Sequence, residues 1–460
     1  MREETRIVTV IKALVALVVL LAMTIGGWIL ATRPAAQTRL VPSIPVEAAA
    51  GTLQEVCLPL PANIAQVRNN PDGSTSAPEI DQILAYQAES TKSAVDPKNS
   101  VFEPIELETS DAGIISLNYR AAWDKSEGGA FLSLDACQPA ADYFSFTVPG
   151  SEQISQRATL MMVNPSANSS SITLEAWNTS GDLLKGQAYT LRGNEKLEIS
   201  IDSLVNTKEA YQLELKIQGP KIAAGVYLQR TQGLNSLGQE WLPQNPQPSE
   251  QLQLLGIDLS DAPARLELAN PGDEEATVSL KIGPNGTDTF KGLNEIKVPS
   301  RAVLELDLAG LPIGAQVFEL KSKTPIIAQV VAHSNTPSEQ AQNRPKIVSG
   351  TFPSDKKNLG MSIYSPAHGV TAVDIPIASG YETQITIRNL AQKSEIKING
   401  AEQHLEPGQV LRTPLTESTK IEASNPVLIS LTAMNKEIPS LRGTINLGSL
   451  SGSQGRVSIR

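Results

Sequence analysis

The sequence predicts an all-β chain: tandem antiparallel β-sandwich modules of immunoglobulin-like kind behind one N-terminal transmembrane helix. Three observations predict it. The stretch Arg265 to Lys281 alternates apolar and polar residues, stops at Asn270-Pro271-Gly272-Asp273, then alternates again, which is the pattern of two half-buried strands joined by a turn. The same pattern occurs at Ala158 to Pro165 with Ile172 to Glu175, and again at Gln384 to Leu390 with Glu395 to Ile398. Landmarks also keep a constant spacing: Asn164 and Asn270 are 106 positions apart, and Pro220 and Pro325 are 105. A slip of one residue would turn a buried face toward water, so a constant spacing implies equivalent strands.

Composition sets the outer bounds. The chain has 460 residues, enough for about three domains on a prior of roughly 150 each. Hydrophobic residues make up 40% and aromatics only 4%, so Val, Ile and Leu must carry the cores. The net charge is −10; residues 1–39 carry +3, leaving the remainder near −13. That balance argues against binding nucleic acid through a general positive field, and no nucleic-acid partner is expected.

Residues 1–12 read as a cytoplasmic tail and 13–31 as the anchor. The run from Ala13 to Ala31 holds no charge over 19 residues, close to the roughly 20 that span a bilayer. Arg2, Arg6 and Lys12 precede it, which puts that end in the cytoplasm and the C-terminal ectodomain outside. A cleaved signal peptide is the rival. Its apolar region is usually about 7–15 residues with a small-residue site close behind, whereas here the run is longer and Ala48-Ala49-Ala50 lies well downstream. Residues 32–52, with Pro34, Pro42 and Pro45, read as an extended linker.

Residues 53–142 read as a first β domain closed by a disulfide. Cys57 and Cys137 are the only cysteines, and outside the cytoplasm they most economically pair with each other; two buried free thiols are the alternative. Ile105 to Leu107, Gly113 to Arg120 and Gly129 to Leu134 read as strands, Ile80 to Gln87 as one or two helical turns, and Asn69 to Pro97 as a polar excursion. Three modules follow, over residues 143–243, 244–345 and a divergent 346–460. In each, the proline of Gly219-Pro220, Thr324-Pro325 or Asn425-Pro426 is expected to end one strand and start the next. Glu240 to Glu250, with three prolines, reads as a semi-rigid connector, and Asn335 to Pro345 as a second.

No catalytic constellation stands out, and no cofactor or metal is expected. His333, His368 and His404 are dispersed, whereas a zinc site or triad needs a histidine near other ligands or an orienting acid. Glu267 and Glu305 lie on strands, where acids usually form the solvated face, so a hydrolytic carboxylate pair is a distant reading. Trp123 and Trp241 are the candidate ligand-contact aromatics, able to stack a sugar or anchor a protein partner; Trp177 reads as core.

The order Cys57-Leu58-Pro59, Ala136-Cys137-Gln138-Pro139-Ala140-Ala141-Asp142-Tyr143-Phe144, Glu240-Trp241-Leu242-Pro243 and Asn270 to Val278 resembles an uncharacterised actinobacterial family of secreted or membrane-anchored proteins, known only as a domain of unknown function. The chain departs from it in having Tyr143-Phe144 where paired Trp is usual, and Pro165-Ser166-Ala167 where Pro-Gly-Asp is usual. The family has no established activity, so the resemblance transfers no functional residues. Its members look to be encoded near envelope glycosyltransferases, which implies cell-envelope polysaccharide work. The expected function is therefore a membrane-anchored, extracytoplasmic, non-enzymatic envelope protein. It would act as a scaffold or accessory partner of polysaccharide assembly, touching an envelope glycosyltransferase; the alternative is a protein that binds cell-wall glycan.

Overall fold

Strands make up nearly all of the described secondary structure, and some alternate strictly between buried and more exposed residues, as in Ser170–Trp177, whose even positions point inward. The computed structural model describes residues 53–65, 68–69, 75–76, 79–85, 103–109, 117–123, 130–151, 155–232, 235–259, 264–335, 359–378, 381–390, 393–435 and 442–447. The expected anchor at 13–31 and its linker lie outside them. Among the described residues no helix is long and apolar enough to cross a membrane.

The first repeat comprises two four-stranded antiparallel sheets. One has the order Leu183–Leu191, Ser170–Trp177, Tyr211–Gln218, Tyr143–Val148; the other has Lys196–Ser200, Ser155–Val163, Ala223–Gln232, Asn235–Leu242. Phe144, Leu174 and Leu215 from the first sheet share one core with Leu160, Val226 and Leu228 from the second.

The second and third repeats use the same pairing scheme. Leu266 lies between Leu306 and Val330 as Leu160 lies between Ile199 and Val226, and Ile385 lies between Thr413 and Leu431. Leu266, Leu280 and Leu320 fill the second core; Ile385, Ile396 and Ile429 belong to the third. At the end of the repeat's second strand stands a buried asparagine: Asn164, Asn270 or Asn389. Asn164 Nδ2 donates to the carbonyls of Asn168 (2.8 Å), Leu191 (3.3 Å) and Arg192 (3.0 Å). Asn270 Nδ2 donates to those of Glu274 (2.7 Å), Val298 (3.1 Å) and Pro299 (3.0 Å). Asn389 Nδ2 donates to Leu405 O at 2.8 Å. Proline follows Asn164 and Asn270 and offers no N–H, so the amide side chain closes the turn in place of the backbone.

Several expectations need correction. Pro325 and Pro426 do not end strands: Gly314–Asn335 and Thr419–Asn435 each run through the proline, pairing with one sheet before it and the other after it. A residue without a ladder donor is where a strand can leave one sheet for another. Glu79–Ala85 is a strand paired with Leu117–Trp123, not helical turns. Trp241 and Leu242 end a strand, so the connector begins after them. Leu359–Tyr364 pairs with Val330 to Asn335 and so belongs to the second repeat, not to the third module expected over residues 346–460. Alternation of Leu160 with Val163, and of Leu266 with Ala269, does not place both members in one core: three positions along is the opposite face of a strand, and Val163 and Ala269 are buried in clusters of their own.

That opposite face is covered because the modules pack on one another. Val56, Leu58, Leu60 and Ile64 of the N-terminal region lie on Met161, Val163 and Tyr227 of the first repeat. Cys57 and Cys137 are bonded, joining Leu53–Cys57 to the strand Gln138–Pro139 that pairs with it. Leu117, Leu132 and Leu134 of the N-terminal sheet share the third repeat's core. The series of modules therefore closes on itself.

Candidate functional site

Closure brings four strands together, one from each module: Ala130–Ala136, Asn235–Leu242, Leu359–Tyr364 and Arg442–Leu447. None is hydrogen-bonded to another along its backbone ladder; each is the edge of its own sheet. Two glycines allow the close approach. A Cβ at Gly238, whose φ is +113°, would stand 2.4 Å from Met361 Cβ, and one at Gly443 would stand 2.6 Å from Leu134 Cβ. Polar side chains bridge the other two contacts. Ser133 Oγ donates to Glu240 Oε1 at 2.6 Å, and Thr444 Oγ1 donates to the Ile363 carbonyl at 3.3 Å.

Glu240 is 1% exposed. Burial pushes its carboxyl well above the usual range, against the Ser133 hydroxyl and the Trp241 N–H, which favour the charged form. Asp135 adds a further upward push through its charge. The alternation of Asn235–Leu242 marks Glu240 as one of two faces, and only the neighbouring module decides that this face is dry.

A cavity of about 570 Å³ opens where these strands meet. All four modules line it: Asp135 and Gln138 from the N-terminal region, Tyr143, Trp241 and Asn245 from the first repeat and the segment after it, Ile363 from the second, Asn446 from the third. Gln138 Nε2 donates to Ala224 O at 2.9 Å, and Asn446 Nδ2 donates to Ser365 O, so these amides are set by the scaffold. Burial and the charge of Glu214 push the Tyr143 phenol up to about 12, so it stays protonated. His368 stands at the rim, with partial burial moving its pKa down.

The two aromatics singled out from sequence fall differently. Trp241 lines the cavity but is only 7% exposed; its ring sits edge-on to Tyr227, with centroids 5.1 Å apart. It packs against Gly225, where a Cβ would come 3.0 Å from the indole. Trp123 ends the strand Leu117–Trp123, where it pairs with Ala130 at the opposite end of that strand pair from Ala136. Trp177 is half-buried at the junction of the first two repeats, with the Arg301 guanidinium 5.7 Å over its ring. His333 and His404 do not join His368 at the cavity.

A second polar cluster lies between the first and second repeats. Glu267 is fully buried, not on a solvated face. It faces Glu305 on one neighbouring strand and Gln329 on the other, and Gln329 donates to it and, at 2.8 Å, to Thr147 O of the first repeat. Glu305 accepts from Gly150 N at 3.0 Å, and Arg230 donates to Gly150 O at 2.7 Å. Burial first, then the charge of Glu305, push Glu267 up to about 8, against Gln329, Arg230 and Arg265. The cluster ties two modules together, through Gln329 on the Thr147 carbonyl and Glu305 on the Gly150 N–H.

Residues 118–346 match the model of a family of unknown function (DUF5719). The match takes in most of the N-terminal sheet and the first two repeats up to the chain after Asn335. No curated protein matches the chain.

Proposed function

We propose that the chain is a membrane-anchored, extracytoplasmic, non-enzymatic protein of the cell envelope. Its immunoglobulin-like sandwich modules act as a scaffold or accessory partner for membrane-bound polysaccharide assembly, with an envelope glycosyltransferase as the expected partner. The observation that carries this reading is the way the modules are joined. Specific contacts join the modules, from the buried Ser133–Glu240 bond to the part-buried Arg388–Glu319 pair at 3.0 Å, and they support a chain that holds its outer surfaces in fixed relative positions. The Cys57–Cys137 bond supports an oxidising compartment, and the uncharged run at 13–31 supports the anchor.

Two measurements test it. Protease added to intact spheroplasts should digest the chain beyond residue 32, and a protected C-terminus would reverse the topology. Crosslinking in cells followed by purification in mild detergent should recover an integral-membrane glycosyltransferase; recovery of the chain alone would refute the scaffold role. A second reading, a protein that binds cell-wall glycan, is favoured by the amide-rich cavity where the modules meet.

A further inference from the structure

We infer that the cavity at the four-module junction is a binding site for a short neutral saccharide of about two or three sugar units. The inference rests on the glycan-binding reading and gives it a place and a ligand class. At about 570 Å³ the cavity is within the roughly 300–1,000 Å³ of small-molecule sites.

Its lining determines the class. Among the described residues lining it there is no lysine or arginine, so nothing balances the charge of a phosphate, sulfate or uronate. It does offer the side-chain amides of Gln138, Gln244, Asn245, Gln247 and Asn446. Each amide carries both a donor and an acceptor, and so does each hydroxyl of a sugar. A cation would need acceptors alone and an anion donors alone. Tyr143, Trp241 and the prolines 139, 243 and 246 supply apolar surfaces for the C–H faces of a pyranose.

Three groups at the mouth are not used by the scaffold. The Asp142 carboxylate, the Gln247 amide and the His368 imidazole hydrogen-bond to no other described residue, and all three are exposed. A carboxylate accepting from two adjacent hydroxyls makes the stronger, charge-assisted kind of hydrogen bond. The remaining amides are held in place by the protein: Gln244 Nε2 donates to Tyr143 O at 3.4 Å, and Asn245 Nδ2 donates to Ser145 Oγ and Thr147 Oγ1, both at 3.1 Å. A site whose donors are already oriented loses less entropy on binding. Every wall comes from a different module, so the site exists only when the modules are closed.

The test uses the full chain in detergent, with maltotriose, cellotriose, mannotriose and xylotriose as neutral probes. Trigalacturonate and trilysine serve as anionic and cationic controls, and binding is read by saturation-transfer NMR and calorimetry. At least one neutral trisaccharide should bind, and Asp142→Asn and Gln247→Ala should each weaken it at least tenfold while leaving the melting temperature unchanged. Binding that both variants leave intact would overturn the cavity assignment yet keep the glycan reading. Binding of trilysine instead, abolished by Asp142→Asn, would make this a cation site and overturn the inference. Failure of every neutral trisaccharide would also overturn it, and the glycan reading would then fall or stand on whether the chain is retained by insoluble cell-wall polysaccharide.

Discussion

Glu267 should make the junction of the first two repeats weaken as pH rises. Its carboxyl is buried between modules and holds its proton up to about 8, whereas the ordinary value is 4.5. Below 4.5 the group is protonated in the folded and unfolded chain alike, and it contributes no pH dependence. Between 4.5 and about 8 the unfolded chain loses the proton while the folded one keeps it. The folded state then binds more protons, so stability must fall with rising pH over that window. At 1.36 kcal/mol per pH unit, the whole window amounts to about 5 kcal/mol, of which about 3 kcal/mol is spent by pH 7. Glu267→Gln keeps the shape and the acceptor for Gln329 but removes the titration. The assay is the urea midpoint of the full chain between pH 5 and 8.5, wild type against variant. Glu240 is pushed in the same direction and His368 is pulled down, and both remain in the variant, so the difference isolates Glu267. The variant should show a flatter decline and be the more stable of the two at pH 8. Glu305→Gln should give an intermediate slope, because it removes the neighbouring charge that raises Glu267. Identical slopes for wild type and Glu267→Gln would refute the argument.

Asn270→Ala strips the Glu274, Val298 and Pro299 carbonyls of their donor and should cost about 2–4 kcal/mol in thermal or urea unfolding, with Asn164→Ala close to it; a loss below about 0.5 kcal/mol would mean the amide is not closing the turn. Gly443→Val places a side chain against the Leu134 backbone and should part the third repeat from the N-terminal sheet, seen as a larger radius of gyration and new protease cleavage; a variant with the wild-type scattering curve would show that the close approach is not needed. Cys57→Ser with Cys137→Ser removes a crosslink between residues 80 positions apart and should lower stability by roughly 4 kcal/mol, while two alkylatable thiols in the native protein would show that the bond does not form there.

What the residues determine on their own is local. Period-two alternation makes Ser170–Trp177 and Ala276–Ile282 strands wherever they lie, because a half-buried strand needs one apolar face. The turn chemistry of Asn164-Pro165 and Asn270-Pro271 is equally local, and its repeat at 106 positions was enough to show that the two copies share strands. Cysteine number alone restricted the disulfide to one pair. Alternation, however, says which face is apolar and nothing about what covers the other. Glu267 and Glu240 sit on polar faces, and read along the chain they belong in water; only the packing of module on module makes them buried acids with raised pKa values. A trace of this was present in Leu160-Met161-Met162-Val163, four apolar residues in a row, the mark of a strand covered on both sides. Leu359–Tyr364 could not be given to its module from sequence, since its partner is chosen across space and not by its own pattern. The cavity is the extreme case. Its walls run from Leu58 to Asn446, contributed by strands that share no backbone ladder, and their side chains meet only because the series of modules closes.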